Sequence, residues 1–218
     1  ADDVAAKYPE KLAEMKALFN AEAARNQVLP LRNTTLSVPG QLPSIAGKRT
    51  AMTFHEGAIG IPETALPRTY NHSWSVEANV DMAQAGQGVV ATLGGRSAGW
   101  SLYLDAAGKP TFTYRLFDLG TYNLRGAKPL APGKHTMRVD FDYAGGGYGK
   151  GGTLRLTVDG AAVGQASLPA SPTAFYTIDE SFDVGLDHGS PAGFYPASAA
   201  PGYAFRGGTI GDVTISVR

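Results

Sequence analysis

Two periodicities divide the chain. Near the N-terminus apolar residues recur at helical spacing: Leu12, Met15, Leu18 and Phe19 form a stripe flanked by Glu10, Lys11, Glu14, Lys16 and Glu22. Pro9 fits the first turn of such a helix, and Asn26 and Pro30 end it. A lone helix of this length is marginal in water and needs a surface to cover its stripe. From Tyr70 onward the period changes to two, as expected of half-buried strands. Trp74, Val76, Ala78 and Val80 alternate with polar residues, and Val89–Leu93 runs up to Gly94-Gly95. Trp100–Asp105 and Thr111–Phe117 flank the hairpin turn Ala106-Ala107-Gly108-Lys109. Met137, Val139 and Phe141 face one way along His135–Tyr143, as do Leu154, Leu156 and Val158 along the next strand. Shorter strands fit Arg49–Phe54, Tyr122–Leu124, Ala162–Leu168 and Phe182–Gly185, and the alternation returns in Thr209–Val217. Many short strands between turn residues predict an antiparallel all-β sandwich or barrel over 49–218. It follows a helical segment over 1–30 and a Pro- and Gly-rich connector over 31–48.

Between two of these strands lies the run Gly145-Gly146-Gly147-Tyr148-Gly149-Lys150-Gly151-Gly152. Gly147, Gly149 and Gly152 match G-x-G-x-x-G, but the dinucleotide fingerprint requires a helix after the glycines and here a strand follows. The P-loop pattern fails as well, because Gly151 stands where Ser or Thr would hold the metal. The run is therefore a hairpin loop whose glycines supply positive φ.

Composition narrows the function classes. Lys plus Arg and Asp plus Glu are 19 each, so no net field for nucleic acid or anionic membrane exists. The absence of cysteine removes disulfides, thiolate metal sites and cysteine nucleophiles together. No apolar run reaches the ~20 residues of a membrane span, and no signal peptide is visible. The sequence starts at Ala1 without Met, as expected of a processed or excised piece.

Three groupings could carry chemistry. His55, His72, His135 and His188 fall into no metal-binding spacing, and no G-x-S-x-G elbow occurs. Asp179, Glu180, Asp183 and Asp187 cluster in IDESFDVGLDHGSP. Carboxylates among glycines suggest a calcium loop with Asp183 and Asp187 as ligands, but EF-hand spacing is absent and turn-forming Asp residues explain the cluster equally well. On the 100–117 hairpin, strand parity puts Trp100, Leu102 and Leu104 on the core face and Ser101, Tyr103 and Asp105 on the other. That second face is the candidate ligand surface: Tyr103 could stack on a sugar ring and Arg115 could pair with a sulfate.

The segment YPEKLAEMKALFNAEAARNQVLPL resembles the end of the catalytic region of large bacterial arylsulfatases. LGGRSAGWSLYL, GKPTFTY, PGKHTMRVDFDYAGGGYGKGG, LTVDG and DESFDVGLDHGSP resemble the β domain at the C-terminus of the same enzymes. The likeness covers nearly the whole chain and implies a concanavalin/laminin-G-like jelly-roll sandwich with one N-terminal amphipathic helix. Leu186 stands where those relatives often carry an acidic residue, which weakens the cation reading. Sulfatases use calcium and a formylglycine made from Cys or Ser in C/S-x-P-x-R. The nearest string here is Ser167-Leu168-Pro169-Ala170-Ser171, with Ser171 in the place of Arg. Calcium and formylglycine are thus implied for an upstream catalytic part and no cofactor for this chain. The resemblance implies a non-catalytic module that packs on the sulfatase catalytic domain and shapes its active-site mouth or an oligomer. A bacterial source follows, with cytoplasm and periplasm both open. The alternative is a carbohydrate- or sulfated-ligand-binding module. A glycanase ranks last, since the paired carboxylates that chemistry needs, roughly 5–9 Å apart, have no E-x-D-x-E counterpart.

Overall fold

A computed structural model describes residues 2–31, 45–196, 199 and 201–218. Most of the expected connector, residues 32–44, lies outside the described residues. The chain falls into two compact units, Ala1–Leu42 and Pro43–Arg218.

The first unit contains helix α1, Pro9–Arg25. Proline occupies the first turn, where its missing N–H costs nothing. Asn26 ends the helix: its backbone N–H and its Nδ2 both donate to the Glu22 carbonyl, at 2.9 and 2.8 Å. The predicted stripe is present but open, with Met15, Leu18 and Phe19 each about half exposed or more.

The second unit is the sandwich. Its strands are β1 Ala51–Phe54, β2 Ile61–Pro62, β3 Trp74–Gly94, β4 Ala98–Leu104, β5 Pro110–Leu116, β6 Gly120–Arg125, β7 Gly133–Tyr143, β8 Lys150–Val158, β9 Ala161–Ala170, β10 Ser181–Val184 and β11 Arg206–Val217. One antiparallel sheet has the order β1-β11-β3-β7-β8-β9, and the other β2-β10-β3-β4-β5-β6. Strand β3 belongs to both. Trp74–Met82 pairs with β7 and β11, and Gly88–Gly94 pairs with β4. The alternation predicted two separate strands there; the polar stretch around Gln84–Gln87 that looks like a turn is instead the crossing between sheets.

The core fills the space between the sheets. Met137, Val139, Phe141, Leu154 and Leu156 are buried as their alternation predicts, and Val158 packs against them partly exposed. Aromatic rings meet across the sandwich: Trp74 stacks on Trp100 at 6.0 Å between centroids, and Phe141 on Tyr114 at 6.5 Å. The glycine run closes the β7–β8 hairpin, with Gly145, Gly146, Gly147 and Gly149 all at positive φ. A strand follows it, so no helix N-terminus is available for a phosphate. Asn71 secures the loop by accepting from the Gly149 N–H at 2.7 Å.

Candidate functional site

The acidic string organises one end of the sandwich. Asp183, on β10, is buried, and its oxygens are taken by donors: Oδ1 accepts from Gly60 N–H (2.7 Å) and the Ser181 hydroxyl (2.9 Å), and Oδ2 from His188 N–H (2.9 Å). Asp187 is also buried; its Oδ2 accepts from Ala192 N–H at 2.9 Å and from the Tyr195 hydroxyl at 2.7 Å. Its Oδ1 is buried with no hydrogen-bond partner among the described residues. Burial raises the Asp187 carboxyl pKa, and the negative charges of Asp183 and Glu180 add to the rise. Among the described residues no three His, Asp or Glu side chains gather where they could hold a metal ion. The two aspartates proposed as cation ligands sit here as anchors of backbone N–H groups.

Strand parity places Tyr103 away from the sandwich core, as expected, but that outer face is covered. Tyr103 is 1% exposed beneath Tyr195 and Tyr203, whose rings lie 5.3 and 6.3 Å away. Its hydroxyl pairs with Thr113 Oγ1 at 3.2 Å and accepts from Phe194 N–H at 3.3 Å. Burial therefore occupies the ring that parity offered to a sugar. Arg115 is half-buried; its Nε donates to the Ala192 carbonyl at 2.7 Å and its guanidinium lies over the Phe194 ring at 4.7 Å. It fastens the segment that covers Tyr103.

One open concavity lies beside these groups, at the edge where β10 enters the second sheet. It encloses about 370 Å³ between the β3–β4 turn, the β5–β6 turn and the segment 173–180. Phe117, Phe175 and Ile178 supply its apolar surface, and Ser97, Asp179 and Ser190 its polar groups. Phe117 is 52% exposed and holds a φ of 49°, a left-handed conformation that a phenylalanine rarely adopts. Ile178 is 84% exposed.

The wall at 173–180 is held at three points. Asn71 Nδ2 donates to the Thr173 carbonyl at 2.6 Å, so one side chain ties both the wall and the glycine loop. Glu63 Oε2 accepts from the backbone N–H groups of Tyr176 and Thr177 at 2.9 and 3.1 Å. Its other oxygen is buried with no hydrogen-bond partner among the described residues. Burial pushes the Glu63 carboxyl up to about 7 against the opposing pull of the Thr177 and Tyr176 donors. At the far end Glu180 Oε1 accepts from the Ser190 hydroxyl at 2.6 Å, and Ser190 Oγ in turn accepts from Arg96 N–H at 2.9 Å. A side chain at Gly189 would collide with the Glu180 carboxylate, and one at Gly95 with Glu180 and Ser190, which is why the contact needs glycine at both positions. Within the wall the Thr177 hydroxyl donates to Asp179 Oδ1 at 3.0 Å and accepts from Glu180 N–H at 2.9 Å, so one hydroxyl bridges the two acidic residues. Asp179 and Glu180 belong to the string singled out in the sequence. Phe117 and Glu63 do not; the signal for Phe117 was an aromatic residue in the turn L-F-D-L-G, and Glu63 carried none.

No family model and no curated protein sequence matches the chain. Solved structures do resemble its fold. The CBM40 module of a Ruminococcus gnavus IT-sialidase, bound to α2,3-sialyllactose, is 16% identical with a TM-score of 0.50, over 77% of this chain and 89% of that one. Domains LG4-5 of the mouse laminin α1 chain are 12% identical with a TM-score of 0.47, over 81% of this chain. This chain spans 42% of that laminin structure. A leech intramolecular trans-sialidase is 16% identical with a TM-score of 0.48, over 77% of this chain and 25% of its own. The fold is thus a laminin-G/concanavalin-like jelly roll.

Proposed function

We propose that this chain is a carbohydrate-binding β-sandwich module whose ligand site is the cavity beside the 173–180 wall. The observation that carries the reading is the combination of exposed aromatic surface and fixed polar groups around about 370 Å³ of open space. Ligand pockets of a few hundred Å³ pair apolar walls with a few placed polar groups, and aromatic faces suit the C–H faces of sugar rings. A CBM40 module of similar fold was solved with sialyllactose bound, which supports a carbohydrate as the ligand class. The second reading, a companion module packed on a sulfatase catalytic domain, rests on the sequence resemblance; none of the structures named above is a sulfatase. An open cavity with its own built wall favours the ligand reading, and both hold together if the module presents a glycan to an attached enzyme.

The test is a glycan microarray followed by calorimetric titration of the best soluble oligosaccharide. Phe117→Ala should weaken binding roughly tenfold or more, about 1.4 kcal/mol. Equal affinity of the parent and the variant, or no oligosaccharide bound at all, would refute the assignment.

A further inference from the structure

Resting on that reading, we infer that the cavity selects a neutral pyranose and rejects acidic or sulfated sugars. The charge of the lining carries this. Its carboxylates are Asp179 and Glu180, its other ionisable group is the buried Tyr176 phenol, and no Lys or Arg side chain is among the lining residues. Glu180 is committed to Ser190, whereas Asp179 is exposed and directed by the Thr177 hydroxyl. Ionised carboxylates accept hydrogen bonds and donate none, so Asp179 is matched to the hydroxyl donors of a neutral sugar and mismatched to a second anion.

The nearby cations do not alter the balance. Arg115 is spent on the Ala192 carbonyl and the Phe194 ring. Arg96 lends its backbone N–H to Ser190, and its side chain is not part of the cavity surface. An anionic ligand held a few ångströms from Asp179 therefore meets like charge, with no Lys or Arg side chain among the described lining residues to offset it. In partly solvated surroundings that repulsion weakens binding roughly tenfold or more. Phe117 and Phe175 supply stacking surface that is indifferent to charge, so discrimination resides in the carboxylate and affinity in the rings.

The experiment titrates the full chain with lactose, 3′-sialyllactose and 6-sulfated lactose, and prints the same neutral, sialylated and sulfated cores on an array. Neutral cores should bind at least about tenfold tighter than their acidic counterparts. Asp179→Asn keeps an oxygen acceptor but removes the charge, and should narrow that gap to roughly twofold or threefold. The thermal midpoint of each variant confirms folding. Sialylated or sulfated sugars binding as tightly as neutral ones, with affinity lost in Phe117→Ala, would overturn the neutral selectivity and leave the carbohydrate reading standing. Acidic-sugar binding abolished by Arg96→Ala would overturn it too, by placing the anion on the rim arginine. Binding of no sugar by any of these probes or the array would overturn both.

Discussion

Asp183 illustrates how one side chain supports two sequence readings that only geometry separates. A carboxylate among glycines fits a calcium loop as well as a turn. Here its two oxygens receive Gly60 N–H, the Ser181 hydroxyl and His188 N–H, which ties β10 to the residue that precedes β2 and to its own following loop. Asp183→Ala strands the donors at a buried position, at about 1–3 kcal/mol for each left unsatisfied. We expect a loss of at least roughly 3 kcal/mol in urea denaturation. Millimolar calcium or EDTA should each leave the parent's thermal midpoint unchanged, since stabilisation by a bound ion would show as a shift that depends on its concentration. A calcium-dependent rise would return Asp183 and Asp187 to the role of ligands. Glu63 is the opposite case. It lies in a run of turn residues with nothing to mark it, because its partners Tyr176 and Thr177 return to it from 113 and 114 residues away. Local pattern cannot encode such a meeting.

Elements whose two faces see different environments were the legible ones. The β7–β8 hairpin and its core residues Met137, Val139, Phe141, Leu154 and Leu156 follow from period alone; α1 follows from its period too, although its stripe stands exposed. Strand β4 shows where period fails: every residue from Ala98 to Leu104 is buried, because Tyr195 and Tyr203 cover its outer face. Parity still names the two faces correctly, yet it cannot tell that a segment some 94 residues later will cover one of them. The same limit hid the continuity of β3, whose polar middle marks a change of partner strands. Helix α1 raises a separate question, since Met15, Leu18 and Phe19 stand exposed on it while the sandwich core is built from Leu66 to Ile215. A 17-residue helix is marginal on its own, and the sandwich has its own core. Deleting residues 1–42 should move the thermal midpoint of the sandwich by less than about 3 °C. A fall of about 8 °C or more would show that the sandwich depends on the helical unit.

At the scale of the molecule the pH response is set by a few groups, because the formal net charge is zero and global repulsion is small. Among the carboxylates and histidines, Glu63, His135 and Asp187 hold their protons more tightly in the folded state. Burial raises the Glu63 carboxyl from 4.5 to about 7. Facing it are Tyr70, Tyr114 and Tyr176, whose own ionisation lies above the neutral range, with Arg68 near Tyr70. His135 is raised from 6.5 chiefly by its Asp159 partner at 2.7 Å, and the Ala131 carbonyl at 2.9 Å also favours a protonated ring. Asp105 and Asp159 shift downward: their hydrogen-bond donors outweigh the cost of burial. For Glu63 the folded chain binds more protons than the unfolded one between pH 4.5 and about 7, so stability falls as pH rises through that interval. His135 acts in the same direction above 6.5: its contribution is complete below that value and is lost as pH passes its raised folded value. The aspartates act oppositely, and their contribution is lost only as pH falls below the ordinary carboxylate range. Stability should therefore peak in mildly acid solution and decline from pH 5.5 to pH 8. The Glu63 shift alone corresponds to at most roughly 3 kcal/mol across its whole interval, about half of it above pH 5.5. Glu63→Gln keeps an acceptor for Tyr176 and Thr177 but cannot ionise, and should flatten most of the decline, leaving the slopes of His135 and of the raised Asp187 carboxyl. Thermal midpoints at half-unit steps from pH 5 to 8, parent against variant, decide it. A parent midpoint that rises toward pH 8, or an equal slope in Glu63→Gln, would mean that the carboxylate beneath the wall is not the group that titrates.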